Sequence, residues 1–277
     1  MAILTLNGKS YDLEKKTLIM GILNITPDSF SDGGRHFNQD TALARALQMV
    51  TEGADIIDVG GESTRPGAVP VSVAEELERV IPVITAIRST SAIPISVDTS
   101  KVAVAEAALA SGASMLNDVW GGRKDPAMLK LAARADVPIC LMHNRTKAVY
   151  ADVVSEVAAD LLESVEAALQ ASIKEENILL DPGIGFGKTP LHNLELLSRL
   201  KEITGLGYPV LLGVSRKSVI GKVLDLPVEQ RLEGTAATVA YGVVHGVKIS
   251  RVHDVLAMQR VVRMIEALLQ GRLSPVD

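Results

Sequence analysis

Aromatic side chains are scarce in this chain. Phe, Trp and Tyr together make up 3% of its 277 residues, too few for a surface on which nucleic-acid bases stack. Cysteine is scarcer still. Cys140 stands alone, so no internal disulfide can form, and a reducing, cytoplasmic setting is expected. Its apolar neighbours make it a small buried hydrophobe. Positive charge is not in excess either. A net charge of −5 argues against general attraction to nucleic acid or to an anionic membrane, so any anion site must be local. No apolar run approaches the roughly 20 residues that span a bilayer, and no basic segment with an apolar signal core opens the chain.

What is present is a repeating paragraph: an apolar run, a polar loop, then an amphipathic helix. Residues 3–13 stand apart from it. They place Asn7-Gly8 between alternating apolar residues, the signal of a tight hairpin, read as a cover at one end of the body. After it, strands are predicted at 18–23, 55–59, 93–97, 114–117, 137–142, 177–180, 210–214 and 247–252. Helices are predicted at 41–53, 73–89, 102–112, 126–135, 152–173, 191–203, 229–246 and 254–269. Near-continuous apolar strands alternating with helices imply parallel pairing under a helical cover. Eight such units predict an α/β fold of the closed (β/α)8 TIM-barrel type with an N-terminal β-hairpin. An open, doubly wound sheet would carry a GxGxxG turn after its first strand; here Asn24-Ile25-Thr26-Pro27 follows instead. No linker divides the chain, so residues 1–277 read as one domain, with 1–15 forming the hairpin cover.

In a barrel of this kind, function collects where the strands end. Each apolar run here stops at polar or charged residues: Asn24; Asp58; Asp98; Asn117-Asp118; His143-Asn144-Arg145; Asp181; Ser215-Arg216-Lys217-Ser218; and Arg251-Val252-His253-Asp254. An acidic residue at one strand end is commonly a helix cap, but eight polar ends together point to a site. They sort into two kinds. Asp98, Asn117 and Asp181 offer acceptors suited to a ring with adjacent N–H donors, such as an amino-pyrimidinone, with Lys217 as counter-ion and donor. Arg65, Lys217, Arg251 and His253, with Ser218 at a helix start, suit phosphate or carboxylate oxygens. Arg251 and His253, at i and i+2, are expected to share one strand face.

Two loops rich in Gly, Ser and Pro, 26–35 and 60–68, read as lids over the mouth. Other signals are read as structural. PGIGFGKT (182–189) has Pro182 where a phosphate loop needs glycine. His36, His192 and His245 fall in or beside helices, as surface or cap residues. His143, at a strand end, is harder to set aside. Glu75-Glu76 reads as a solvated helix face and Trp120 as packing. No Ser/His/Asp or Cys/His set suggests a covalent intermediate.

The strand-end segments MGILNITPDSFSDGG (20–34), DIIDVGGESTRPGA (55–68), PISVDTSK (94–101), LNDVWGG (116–122), LMHNR (141–145), LLDPGIGFGKT (179–189), LLGVSRKSVIG (211–221) and RVHDV (251–255) resemble the dihydropteroate synthases. That is the folate-pathway family targeted by sulfonamides. The resemblance implies a transferase that condenses 6-hydroxymethyl-7,8-dihydropterin diphosphate with 4-aminobenzoate, releasing diphosphate and 7,8-dihydropteroate. It implies that Asp98, Asn117, Asp181 and Lys217 hold the pterin, and that Arg251 and His253 bind the diphosphate. Asn24 would ligate the accompanying Mg²⁺. Phe186, Lys217 and Ser218 would shape the aminobenzoate pocket. Phe30, Asp32, Thr64 and Arg65 would come from the two lids, and Asp32, Lys217, Arg251 and His253 would act in the reaction. It also implies a cytoplasmic homodimer acting on small molecules, with no nucleic-acid or membrane partner. The Asn144-Arg145-Thr146 segment departs from the Met-Gln-Gly type of many members. The competing reading is a pterin-binding methyltransferase serving a corrinoid protein; it shares the Asp/Asn grip but needs no diphosphate site.

Overall fold

The computed structural model describes residues 3–25, 35–63 and 70–272. The chain opens with β1 (Ile3–Leu6) and β2 (Lys9–Asp12), paired antiparallel. Asn7 and Gly8 both take positive φ, 50° and 73°, as a two-residue type I′ hairpin turn requires.

Eight parallel strands follow: β3 (Leu18–Asn24), β4 (Ile56–Gly60), β5 (Ile95–Asp98), β6 (Met115–Asp118), β7 (Ile139–Met142), β8 (Ile178–Asp181), β9 (Leu211–Gly213) and β10 (Ile249–Val252). They pair in chain order from β3 to β8, while β10 sits between β3 and β9. A bridge between Leu180 and Val210 closes the ring, with Leu180 N donating to Pro209 O at 3.0 Å. The helices are α1 (Arg35–Thr51), α2 (Val73–Thr90), α3 (Val102–Ala110), α4 (Ala127–Ala135), α5 (Val153–Gln170), α6 (Pro190–Ser198), α7 (Leu200–Thr204), α8 (Ser218–Leu224), α9 (Leu232–Val244) and α10 (Val255–Gln270). This is the (β/α)8 barrel the repeating paragraph predicts.

Three helical expectations change. The helix expected from residue 41 begins at Arg35. The stretch 191–203 is two helices, broken at Arg199 (φ −105°, ψ 25°). There the guanidinium reaches Asp152, Glu195 and Glu202 together. The stretch 229–246 begins only at Leu232, because Arg231 turns inward to the carbonyls of Leu226 and Arg216.

Strand alternation divides the interior in two. Outward residues such as Ile57, Val59, Val97, Leu141 and Leu212 pack beneath the helices. Inward residues Leu18, Met20, Ile56, Met115, Cys140, Leu179, Leu211 and Ile249 form a second core with Leu4, Leu6, Tyr11 and Leu13 of the hairpin segment. The hairpin is therefore the floor of the barrel. Two residues further along four of the strands, the same inward register becomes polar: Ile56 leads to Asp58, Met115 to Asn117, Leu179 to Asp181 and Ile249 to Arg251.

Candidate active site

Four polar groups meet above that floor. Arg251 donates from Nε to Asp58 Oδ2 at 2.6 Å and from Nη2 to Asp98 Oδ2 at 2.8 Å. Asn117 Nδ2 donates to the same Asp58 oxygen at 3.1 Å. Asp58, Asp98, Asn117 and Asp181 are all buried. Arg251 thus supplies the positive charge without which two buried carboxylates would repel. The remaining oxygens, Asp58 Oδ1 and Asp98 Oδ1, accept no hydrogen bond from the described residues. An unsatisfied buried acceptor is costly, and such a pair of acceptors is suited to N–H donors from a ligand. Burial pushes the Asp98 carboxyl up to about 7 against the pull of Arg251.

On the other side of the mouth, Asp181 Oδ1 accepts from Gly183 N at 2.7 Å. Lys217 Nζ donates to Ile184 O and stands 4.6 Å from the centre of the Phe186 ring. Burial lowers Lys217 to about 8; it also raises Asp181, which Lys217 opposes. Gly213 marks the convergence: a Cβ there would lie 3.9 Å from each of Arg251 Cδ, Asp181 Oδ2 and Lys217 Nζ. A Cβ on Gly60 would lie 3.5 Å from Asp98 Cβ and 3.7 Å from Asn24 Oδ1, so Asn24 stands at the same rim. A cavity of about 150 Å³ opens beside them, lined by Asp98, Thr99, Val119, Trp120, Asn144 and Phe186 among others.

The structure therefore gathers Asn24, Asp98, Asn117, Asp181, Phe186, Lys217 and Arg251 at one mouth. Ser218 is exposed at the first position of α8. Phe30, Asp32, Thr64 and Arg65 lie outside the described residues, as do most of both proposed lids. Several expectations are corrected. The acidic and cationic residues do not form two separate groups, because Arg251 bonds directly to Asp98. It, rather than Lys217, is the counter-ion of Asp58 and Asp98. Arg251 and His253 do not share a strand face. The strand ends at Val252, and His253 reaches back through its N and Nδ1 to Ser215 Oγ, at 3.2 and 2.9 Å. Glu76 is buried and paired with Lys101, not solvated. Trp120 lines the cavity. Asp118 is a turn cap, accepting from Trp120 N and Gly122 N. His192 completes the capping box of α6, and His245 Nδ1 lies 2.9 Å from Tyr241 O at the end of α9, both as expected. Sequence reasoning leaves Asp58 as one strand end among eight, although its place two residues after inward Ile56 carries the signal.

Among the described residues no group of three His, Cys, Asp or Glu could enclose a metal ion. The Asn24 amide oxygen is a hard donor at the rim. That fits an ion such as Mg²⁺, which keeps its waters and takes substrate phosphate oxygens.

The pattern of the pterin binding enzyme family matches residues 20–253, which takes in the barrel strands but for the first two residues of β3. A dihydropteroate synthase of Bacillus subtilis is 54% identical over 256 residues, 92% of this chain and 90% of that one. The chain belongs to the dihydropteroate synthase family. A solved dihydropteroate synthase from Clostridium difficile, determined in the presence of pteroic acid, superposes with a TM-score of 0.91 at 52% identity, covering 93% of this chain and 98% of that one. The Xanthomonas albilineans dihydropteroate synthase with 4-aminobenzoic acid gives 0.92 at 44% identity, covering 97% and 98%. Membership in the dihydropteroate synthases makes the chain a transferase and favours that reading over the corrinoid methyltransferase.

Proposed function

We propose that this dihydropteroate synthase joins 6-hydroxymethyl-7,8-dihydropterin diphosphate to 4-aminobenzoate at the mouth formed by β3 to β10. The observation that carries the assignment of residues is the unbonded, buried Oδ1 of Asp98, whose other oxygen accepts from Arg251. The pterin ring enters with its N–H groups towards Asp98 and Asp181, Asn117 fixes the edge, and Lys217 donates to the ring carbonyl. Arg251 and His253 take the diphosphate, and Asn24 would hold the Mg²⁺ that accompanies it. Magnesium, when bound, neutralises the leaving diphosphate.

The C–O bond to diphosphate breaks and leaves positive charge on the methylene, which the electron-rich dihydropterin shares. The buried carboxylates stabilise that charge. The amine of 4-aminobenzoate, placed by Phe186 and Ser218, then forms the C–N bond and releases a proton. A weak aryl amine gains more from positioning than from activation, so the protein contributes chiefly geometry. Asp32 and Phe30 from the first lid, and Thr64 and Arg65 from the second, are assigned to the same reaction.

The protein acts as one domain in a cytoplasmic homodimer. Unpaired, buried Cys140 accords with a reducing compartment. The exposed side chains of Tyr241, Val244, Leu256, Met264 and Leu268 on α9 and α10 supply apolar surface for a second copy. The deciding assay mixes protein, pterin diphosphate, 4-aminobenzoate and Mg²⁺. Diphosphate release should require all of them. Release that ignores 4-aminobenzoate would overturn the reading.

A further inference from the structure

His143, at the end of β7, and Lys188, at the end of the turn 182–188, have no part in the reaction above. The fold brings them together. Lys188 Nζ lies 2.8 Å from His143 Nδ1, 3.0 Å from Gly183 O and 3.1 Å from Phe186 O. Burial, more than any neighbouring charge, lowers this amine to about 7; when protonated it has three N–H donors, each with a partner here, so this lysine is not a waiting phosphate ligand. His143 Nε2 lies 3.0 Å from Asp160 Oδ2. Burial holds the imidazole neutral, down at about 3, so Nε2–H donates to Asp160 and the Nδ1 lone pair receives Lys188. Asp160 in turn accepts from Arg145 Nε at 2.8 Å.

The turn is pressed onto the segment after β7. Gly183 and Gly187 have φ of +67° and +55°. A Cβ on them would stand 1.9 Å from His143 O and 2.2 Å from Arg145 O, so only glycine permits the approach. Tyr150 Oη adds a bond to Gly187 O at 2.9 Å. The opposite side of the same turn faces the mouth, where it presents Gly183 N to Asp181 and the Phe186 ring to Lys217.

We propose that Lys188 is a positioning residue: by tying the Phe186 carbonyl to His143 and Asp160, it sets where the Phe186 ring stands in the aminobenzoate pocket. The claim rests on the placement of Phe186 in that pocket proposed above.

The test uses the full chain with Mg²⁺ and both substrates. Lys188→Met should raise the KM for 4-aminobenzoate by about tenfold, the effect of one buried bond lost. The calorimetric affinity for the pterin without its diphosphate should stay near that of the parent protein. Phe186→Ala should raise the same KM, and adding Lys188→Met to it should raise it no further. Multiplying effects, or a response to Lys188→Met where Phe186→Ala has none, would overturn the proposal. Hydrogen exchange of the free protein gives a readout independent of turnover. Amides of 183–188 should exchange faster in Lys188→Met, and unchanged exchange sinks the idea even if the assigned reaction proves wrong. Failure of the parent protein to release diphosphate would overturn the functional reading alone. Should Lys188→Met not fold, Lys188→Gln keeps two N–H donors and should show the same pattern in smaller measure; no change in KM or exchange there would count against the proposal.

Discussion

Asp98 carries two demands on one carboxylate. Oδ2 accepts from Arg251 while Oδ1 accepts no bond from the described residues. An amide offers one acceptor and one donor, so in Asp98→Asn one side of the group faces a donor with a donor. Pterin affinity should fall by about tenfold or more, the cost of an unpaired buried group; calorimetry showing unchanged affinity would contradict the role. The same carboxyl gives a pH signature. Folded Asp98 titrates near 7 against an ordinary 3.8. Between those values the folded protein holds a proton that the unfolded chain releases, so this group's contribution to stability is lost as pH rises through about 7. Denaturant midpoints from pH 5 to 8 should therefore fall less steeply in Asp98→Asn than in the parent. Arg251 is different again. Removing it strands two buried carboxylates, so Arg251→Ala should cost about 3–5 kcal/mol of stability, and pterin binding should be lost along with turnover. Retained pterin affinity would show that the acidic grip stands without its counter-ion.

At the scale of elements, the hairpin and the strand ends divide the labour. β1 and β2 place Leu4, Leu6 and Tyr11 against the inward residues of β3, β4, β6, β9 and β10, at the end of the barrel away from Asp98 and Arg251. Leu6→Ala opens a cavity in a fully buried layer and should destabilise the protein by about 2–5 kcal/mol. Both KM values should remain those of the parent, because Asp58, Asn117, Asp181 and Arg251 stand two residues beyond the floor on their strands. A large change in KM on this substitution would mean that floor and mouth are not separable. The polar ends were legible in the chain, as apolar runs stopping on polar groups at eight places; the inward and outward alternation within those runs was not. What alternation does not specify is how far each strand runs. β10 ends at Val252, so the spacing of Arg251 and His253 misled, and His253 turns to Ser215.

For the whole molecule, closure decides what meets. Without the Leu180–Val210 bridge, Asp181 on β8 and Arg251 on β10 would sit six strands apart in an open sheet. The outer surface has its own consequence. Met264 and Leu268 are more than half exposed on α10, an unusual placement for large apolar side chains unless something covers them. Met264→Glu should shift the proposed homodimer towards monomer in sedimentation velocity, with the fold retained; an unmoved dimer would place its interface elsewhere.

The amino-acid order by itself determined the eightfold alternation, the hairpin, and the polar character of every strand end, because hydrophobic period and turn chemistry are local properties. The family, too, was legible from those strand-end segments. Only the tertiary structure decided which ends face each other. It made Arg251 the partner of Asp58 and Asp98, buried Glu76 beside Lys101, and bound Lys188 to His143. Each of those pairings joins distant segments, and charge pairing at a distance depends on which inward positions the closed barrel brings within a few ångströms, a relation that no local pattern encodes.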